Sequence, residues 1–546
     1  MMRHARALGA IGLVLLVGYF CFTGWWGIDF GTHWDEWYHF AGLNKCIARM
    51  QLVPQDFIYN GMYFLLGVPL LAAHLGHDVP PILRELKERT PTLSLDAASL
   101  SSVKKLQSDA STLLATKDYL LETRTLFLCV SALGIVWVYL TILRLYPRRY
   151  LAALAGAAFL ALSWEFQYHA RIIAIDAPLA QFLALELLLL CCAWRSEGSA
   201  RFAGWMVAAA VAGGLVFGCK MTGIFALVPL VGLSLLRRAG WRSRLAIAAL
   251  AVAVFFATTS LVSPAMFLDP LHAFETMRYV KWDYDQQADA SRNYYVHGMG
   301  EHVGRLLTWF IAAVPAPSLW RALPMAAVAV LGLAVLFRRH RGLIGVWCLF
   351  AAITIAVLSK GHLLIVRQYV MFVPFMAIAF GAGVAFLRFR VRGPAVRGLL
   401  TAALVVGLVL NGRWLFAASR SVRTTTAETI KADLVADLLR DRRPISLTGT
   451  IHTLVASEIS AAYRCEPTKA DEQLQRSIVM RYGDGSGIKA NRPYALERVY
   501  SSHEVNYDWY SSWLGNHSGE RILRLPSRSL AALRVSLVGT FNCVPR

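Results

Sequence analysis

The sequence predicts an all-α polytopic membrane bundle with a small C-terminal α/β domain on the extracytoplasmic side. Three observations predict it. The chain is 56% hydrophobic and 16% charged, with a mean hydropathy of +0.48, whereas soluble domains carry about 25% charged residues. The apolar residues fall in uncharged blocks, among them 8–27, 245–268 and 368–387, each long enough for a helix of about 20 residues to cross the roughly 30 Å hydrocarbon layer. The excess positive charge, +21 in all, is gathered into short clusters between blocks: Arg144/Arg148/Arg149, Arg237/Arg238/Arg242/Arg244, Arg338/Arg339/Arg341 and Arg388/Arg390/Arg392/Arg397. That is the positive-inside pattern. It excludes the nucleic-acid partner that the net charge alone would suggest, and the composition excludes a soluble enzyme.

The first block follows Arg3 and Arg6 and ends in Gly24-Trp25-Trp26-Gly27-Ile28-Asp29. It lacks a small-residue cleavage pattern, so it reads as an uncleaved anchor with a cytoplasmic N-terminus, in a bacterial inner membrane. With the basic clusters cytoplasmic, about eleven crossings follow: 8–27, 125–143, 150–166, 172–194, 202–218, 221–236, 245–263, 322–337, 342–358, 366–387 and 397–414. This gives a transmembrane domain over 1–419, with outer loops at about 28–123 and 264–304, and a soluble extracytoplasmic domain over 420–546. Tyr63 to Leu75 is apolar but short and interrupted by Gly67 and Pro69, so it reads as a juxtamembrane or re-entrant helix. Pro315 and Pro317 break 306–320. In the tail, 426–439 has helical periodicity and 445–447 reads as a strand; Cys465 and Cys543 could pair there. The insertion 78–123 carries no readable motif.

Ionisable residues near a membrane are functional candidates. His33-Trp34-Asp35-Glu36-Trp37-Tyr38-His39 follows the first crossing. Its adjacent carboxylates could supply a general base or bind a cation, and its aromatics could form a sugar platform. The alternative is an interfacial aromatic belt with solvated acids. Arg171-Ile-Ile-Ala-Ile-Asp176-Ala-Pro178 lies at an outer mouth, where an ordinary ion pair is the competing reading. Lys220 interrupts an apolar stretch among small residues and could receive a phosphate as a point charge. Arg124, Lys360, His362 and Arg367 fall on the same face. His33, Asp35 and His39, and likewise His297, Glu301 and His302, have roughly metal-like spacing; a structural zinc site usually wants four Cys or His ligands. No cofactor is required by the sequence, although a divalent metal is possible. Glu186 reads as paired inside the bundle.

In order and in shared face, these features resemble the GT-C membrane glycosyltransferases, in the branch of protein O-mannosyltransferases and aminoarabinose transferases. The resemblance rests on Asp35-Glu36 followed by Tyr38, on an apolar segment from Tyr63 leading to Arg124, and on Arg171 through Leu179, similar to the family's Arg-x(4)-Asp-x-Pro-Leu. It rests also on the Gly-rich stretch 214–229 around Lys220, and on Arg367-Gln-Tyr369 with Pro374. It spans about 8–415. One departure is Tyr59-Asn60-Gly61-Met62-Tyr63, where the family often has Pro-Pro-Leu.

The resemblance implies transfer of a sugar from a polyprenyl-phosphate donor to a protein, lipid or glycan acceptor at the outer face, with inversion. It implies catalytic roles for Asp35, Glu36 and Asp176, donor phosphate binding by Arg124, Arg171, Lys220 and Arg367, and acceptor or sugar contacts from Trp34, Tyr38, Tyr63 and His362. A transporter or flippase of lipid-linked saccharides is the alternative. It would show inverted repeats and midplane polar groups, whereas here the polar groups gather at one mouth.

Overall fold

The structure is a computed structural model. It describes residues 2–29, 34–48, 60–76, 97–237, 240–286, 296–316, 319–391 and 393–423, together with six short strands in the tail. Contacts divide the chain into two units, one formed chiefly by 1–28 and 33–415, the other chiefly by 416–510 and 524–546.

In the first unit the helices are α1 (Met2–Trp26), α2 (Trp34–Ala48), α3 (Gly61–Leu65), α4 (Val68–Leu75), α5 (Ala97–Leu114), α6 (Lys117–Leu145), α7 (Tyr150–Ala161), α8 (Trp164–Ala170), α9 (Asp176–Trp194), α10 (Ser199–Cys219), α11 (Leu227–Leu236), α12 (Trp241–Val262), α13 (Ala265–Leu268), α14 (Pro270–Gln286), α15 (Met299–Ala312), α16 (Leu319–Arg339), α17 (Arg341–Leu358), α18 (Val373–Arg390) and α19 (Pro394–Arg423). Short 3-10 turns at Met221–Ala226 and Val366–Phe372 lead into α11 and α18.

Among the described residues, nine helical segments are long and apolar enough to cross a membrane. The other two expected crossings are shorter apolar helices, Tyr150–Ala161 and Met221–Leu236. The first is cut short where the chain turns at Leu162 and Ser163 before α8, the second because its first six residues are wound as a 3-10 turn. Tyr63 to Leu75 is divided between α3 and α4, and 306–320 between α15 and α16.

The core of the unit is α9, packed against α6 and α10, with α18 packed on α7 and α16. Where α16 crosses α18, a Cβ on Gly332 would come within 1.8 Å of the Ala379 carbonyl oxygen. One on Gly383 would come within 2.1 Å of the Val328 carbonyl oxygen. Only glycine lets two helix backbones approach so closely. At the basic end, Arg195 after α9 donates to the carbonyl oxygens of Arg144 (2.7 Å) and Leu145 (3.1 Å), closing the ends of α9 and α6 together.

In the second unit, β1 (Ile445–Leu447), β2 (Tyr463–Pro467), β3 (Ser477–Ile478) and β6 (Phe541–Pro545) form a sheet in the order β2-β6-β1-β3, parallel only at β1/β3. A separate antiparallel pair joins β4 (Ser501–His503) and β5 (Ala532–Arg534). The register sets Cys465 opposite Cys543. The helix expected over 426–439 lies outside the described residues.

Candidate active site at the mouth of the bundle

The irregular link Arg171–Ile175 between α8 and α9 is where the site is built. Its centre, Ile173, is gripped from two directions. The Ile173 N–H donates to Glu36 Oε1 at 3.2 Å, and its carbonyl accepts from the Tyr63 hydroxyl at 3.2 Å. Residues from α2 and α3 thus fix the backbone three residues before Asp176.

Glu36 is held in turn by Arg124 of α6. Its two oxygens accept from Arg124 Nε (2.7 Å) and Nη2 (2.6 Å), while Nη1 donates to the Ile28 carbonyl at 2.8 Å. Side-chain exposure is 0% for Arg124 and 3% for Glu36. A bidentate guanidinium–carboxylate pair of this kind is geometrically specific, and here it binds the start of α2 to α6. The structure therefore places Arg124 and Glu36 inside the scaffold, bonded to each other.

Arg171 is likewise enclosed. It donates to Gln167 Oε1 (2.9 Å) and to the Gly27 carbonyl (3.3 Å), and its guanidinium lies 4.8 Å from the Trp164 ring centre. Gln167 reaches α1 through the Phe20 carbonyl and Thr23 Oγ1. These contacts of Arg171 run toward α1 and α8, whereas Asp176 pairs across to Lys220. Five residues on an irregular link carry the two side chains to different neighbours.

Asp176, in the first turn of α9, accepts from Lys220 Nζ at 2.8 Å. Lys220 follows α10 in an extended conformation, with φ −155° and ψ 147°, which ends that helix and turns the ammonium toward α9. Arg367, on the 3-10 turn before α18, and His169, in the last turn of α8, both act on the Asp176 charge. Burial first, then Arg367 and Lys220, holds the His169 imidazole down at about 3 against the opposing pull of Asp176. The structure thus assembles Asp176, Lys220, Arg367 and His169 into one cluster. It lies at the opposite end of α9 from the Arg195 contacts, 19 residues away, about 28 Å at about 1.5 Å per residue.

Asp35 is in the first turn of α2, next to Glu36, so the Glu36–Ile173 bond brings its backbone to this mouth. The side chains of Trp34 and Asp35 and all of His33 lie outside the described residues, and Tyr38 is half-buried. His362 sits in the turn after α17, where its carbonyl accepts from the Val296 N–H at 2.8 Å.

His39 is buried in an aromatic cage of Phe40, Tyr63, Phe64 and Phe127, and burial takes its pKa down to about 3. The ring nitrogens of His302 face the Tyr369 hydroxyl (2.8 Å) and the Gly361 carbonyl (3.4 Å). His297 donates its backbone N–H to Glu301 at 2.7 Å. Among the described residues no three His, Cys, Asp or Glu side chains converge as a metal site. Glu186 is fully buried in α9, and no hydrogen-bond partner is found for its carboxylate among the described residues.

Sequence reading did not single out His169, Gln167, Asn60 or Ile173. Asn60 donates to the Phe217 carbonyl, and the following Gly61 N–H donates to Ser263 Oγ at 3.1 Å, so the place of the family's Pro-Pro-Leu ties α3 to the ends of α10 and α12. An amide before a short apolar helix is the only sequence signal for it.

Comparison with known proteins bears on this arrangement. Residues 110–263 match the family model described as dolichyl-phosphate-mannose-protein mannosyltransferase. That match spans less than half of the chain. The matched segment holds Arg124, His169, Arg171, Asp176 and Lys220, while Glu36 and Arg367 come from outside it. Among solved structures the chain is similar to ArnT from Cupriavidus metallidurans bound to undecaprenyl phosphate, at 18% identity over 78% of this chain and 72% of that one, with a TM-score of 0.44. It is also similar to the oligosaccharyltransferase of Archaeoglobus fulgidus in complex with zinc and sulfate, at 15% identity over 79% and 55%, with a TM-score of 0.45. No curated protein matches the sequence.

Proposed function

We propose that the protein transfers a sugar from a polyprenyl-phosphate donor to an acceptor hydroxyl at the extracytoplasmic face, with inversion at the anomeric carbon. The observation that carries this reading is the Asp176–Lys220 pair with Arg367 and His169 beside it, at the end of the bundle opposite the basic clusters. In the reaction the acceptor oxygen forms a bond to the anomeric carbon. The bond from that carbon to the phosphate oxygen breaks, and the polyprenyl phosphate leaves with the electron pair. The acceptor proton passes to the Asp35 carboxylate. Lys220 and Arg367 stabilise the growing charge on the departing phosphate, a form of electrostatic stabilisation that acts where charge develops. Arg124, Glu36 and Arg171 hold the α2 start and the 171–175 link in place. Trp34, Tyr38 and His362 border the sugar and acceptor space, while Tyr63, fully buried with its hydroxyl on the Ile173 carbonyl, belongs to the scaffold.

The test is transfer by purified protein supplied with a polyprenyl-phosphate sugar. Asp35→Asn should insert and fold normally while losing transfer; transfer at the unaltered rate would remove Asp35 from this role. Mass spectrometry of lipids and glycans from cells with and without the gene identifies the sugar and acceptor, through the donor that accumulates and the glycan that is lost.

A further inference from the structure

A groove separate from the Asp176 cluster runs between α16, α18 and α19. It encloses a cavity of about 370 Å³ walled by Met325, Val328, Val384 and Leu404 among other apolar side chains. The end nearest the start of α16 is fastened: Arg321 donates to Asn411 Oδ1 at 3.0 Å, and Asn411 donates to the Pro315 carbonyl at 3.1 Å. At the other end Arg388 of α18 and Arg397 of α19, both exposed, line the same cavity.

From Arg397 to Leu408 the α19 wall runs about 17 Å at about 1.5 Å per residue. That is close to half of the roughly 30 Å hydrocarbon layer, the depth of one leaflet. The slot therefore has hydrocarbon along its length and two guanidiniums at its mouth. Basic pockets between transmembrane helices suit anionic lipid head groups, and guanidinium pairs well with phosphate oxygens.

We infer that this groove binds an anionic glycerophospholipid of the leaflet beside the basic cluster. Arg388 and Arg397 hold its phosphate, and one acyl chain lies along α19. The site is distinct from the donor-phosphate cluster: Arg367 precedes α18, whereas Arg388 stands near that helix's far end. The inference does not depend on which sugar or acceptor the protein uses.

Native mass spectrometry of the full chain in detergent tests it, with phosphatidylglycerol and phosphatidylcholine offered in turn. Phosphatidylglycerol is expected to occupy the protein at least about tenfold better, a difference of about 1.4 kcal/mol. Arg388→Gln with Arg397→Gln should bring it down to the phosphatidylcholine level. Val328→Trp with Leu404→Trp, which fills the slot, should lower both lipids. Arg397→Gln alone, at an exposed position, should show a smaller loss in the same direction, so the test survives misfolding of a double variant. Equal occupancy by the two lipids, or an undiminished preference in the glutamine variants, overturns the proposal. So does displacement of phosphatidylglycerol by equimolar polyprenyl phosphate, which would make the slot a donor channel.

Discussion

Removing one partner of the Glu36–Arg124 pair is expected to cost more than removing both. Glu36→Leu leaves a guanidinium of 0% side-chain exposure with the Ile28 carbonyl as its remaining acceptor among these bonds, and takes from the Ile173 N–H its acceptor. One-sided removal from a buried pair costs about 3–5 kcal/mol, and an orphaned buried N–H about 1–3 kcal/mol. The two losses arise from one deletion and overlap, so about 3–5 kcal/mol is the expected total. Arg124→Leu strands the carboxylate instead and should cost a similar amount. In the double variant no charge is left to desolvate, and apolar replacement of a buried pair is often neutral. The double should therefore be more stable than either single, with a coupling of at least about 2 kcal/mol. Reversible unfolding in detergent, followed by tryptophan fluorescence across all four proteins, gives this cycle. Single costs that add to the double cost within about 0.5 kcal/mol, as for independent sites, would refute the argument.

Three further outcomes follow from the geometry. Lys220→Met should lower the transfer rate constant by about 10²–10³-fold, the loss typical of one charge-stabilising donor, with partial recovery in Lys220→Arg; an unchanged rate in the methionine variant would put the phosphate elsewhere. His39, ordinarily near 6.5 but held to about 3 by burial, binds a proton more readily when unfolded. Its contribution is complete above about pH 6.5 and is lost as pH falls toward 3, at up to about 1.4 kcal/mol per pH unit. His39→Leu should flatten that acid limb in a pH series of thermal scans, and an identical limb in both proteins would contradict the burial argument. Directly opposed residues in antiparallel strands have Cα atoms about 4.5–5.5 Å apart, within the disulfide range of about 4.4–6.8 Å, so Cys465 and Cys543 are expected to be bridged if the tail is extracytoplasmic. Non-reducing peptide mapping from membranes decides it, and two alkylatable thiols would count against both pairing and sidedness.

The bundle was legible because bilayer thickness forces a long uncharged block onto each crossing, and the blocks at 125–143, 202–218 and 322–337 all fall within long helices. Block length does not reveal where a helix breaks, so the ends of α7 and α11 were not readable. The candidate residues were legible as types, since an ionisable group beside lipid is costly and therefore conspicuous. Their pairing was not. Asp176 joins Lys220, 44 residues on, and Glu36 joins Arg124, 88 residues on, and both partnerships depend on tertiary placement. His169 and Gln167 went unnoticed because a polar residue just past an apolar run looks like ordinary interface. The grip on Ile173 uses backbone atoms, which every residue type supplies equally.

The contact at Gly332 and Gly383 bears on how the lipid-sized groove can change shape. With carbonyl oxygens seated against α-carbons, α16 cannot slide or roll on α18 without backbone collision, so these two helices must travel as one body. They form two of the groove's walls, beside α19 and Leu151 of α7. Its width is therefore governed chiefly by the distance of α19 from that paired block, and an occupant of the slot bears on α19 more than on the α16–α18 contact.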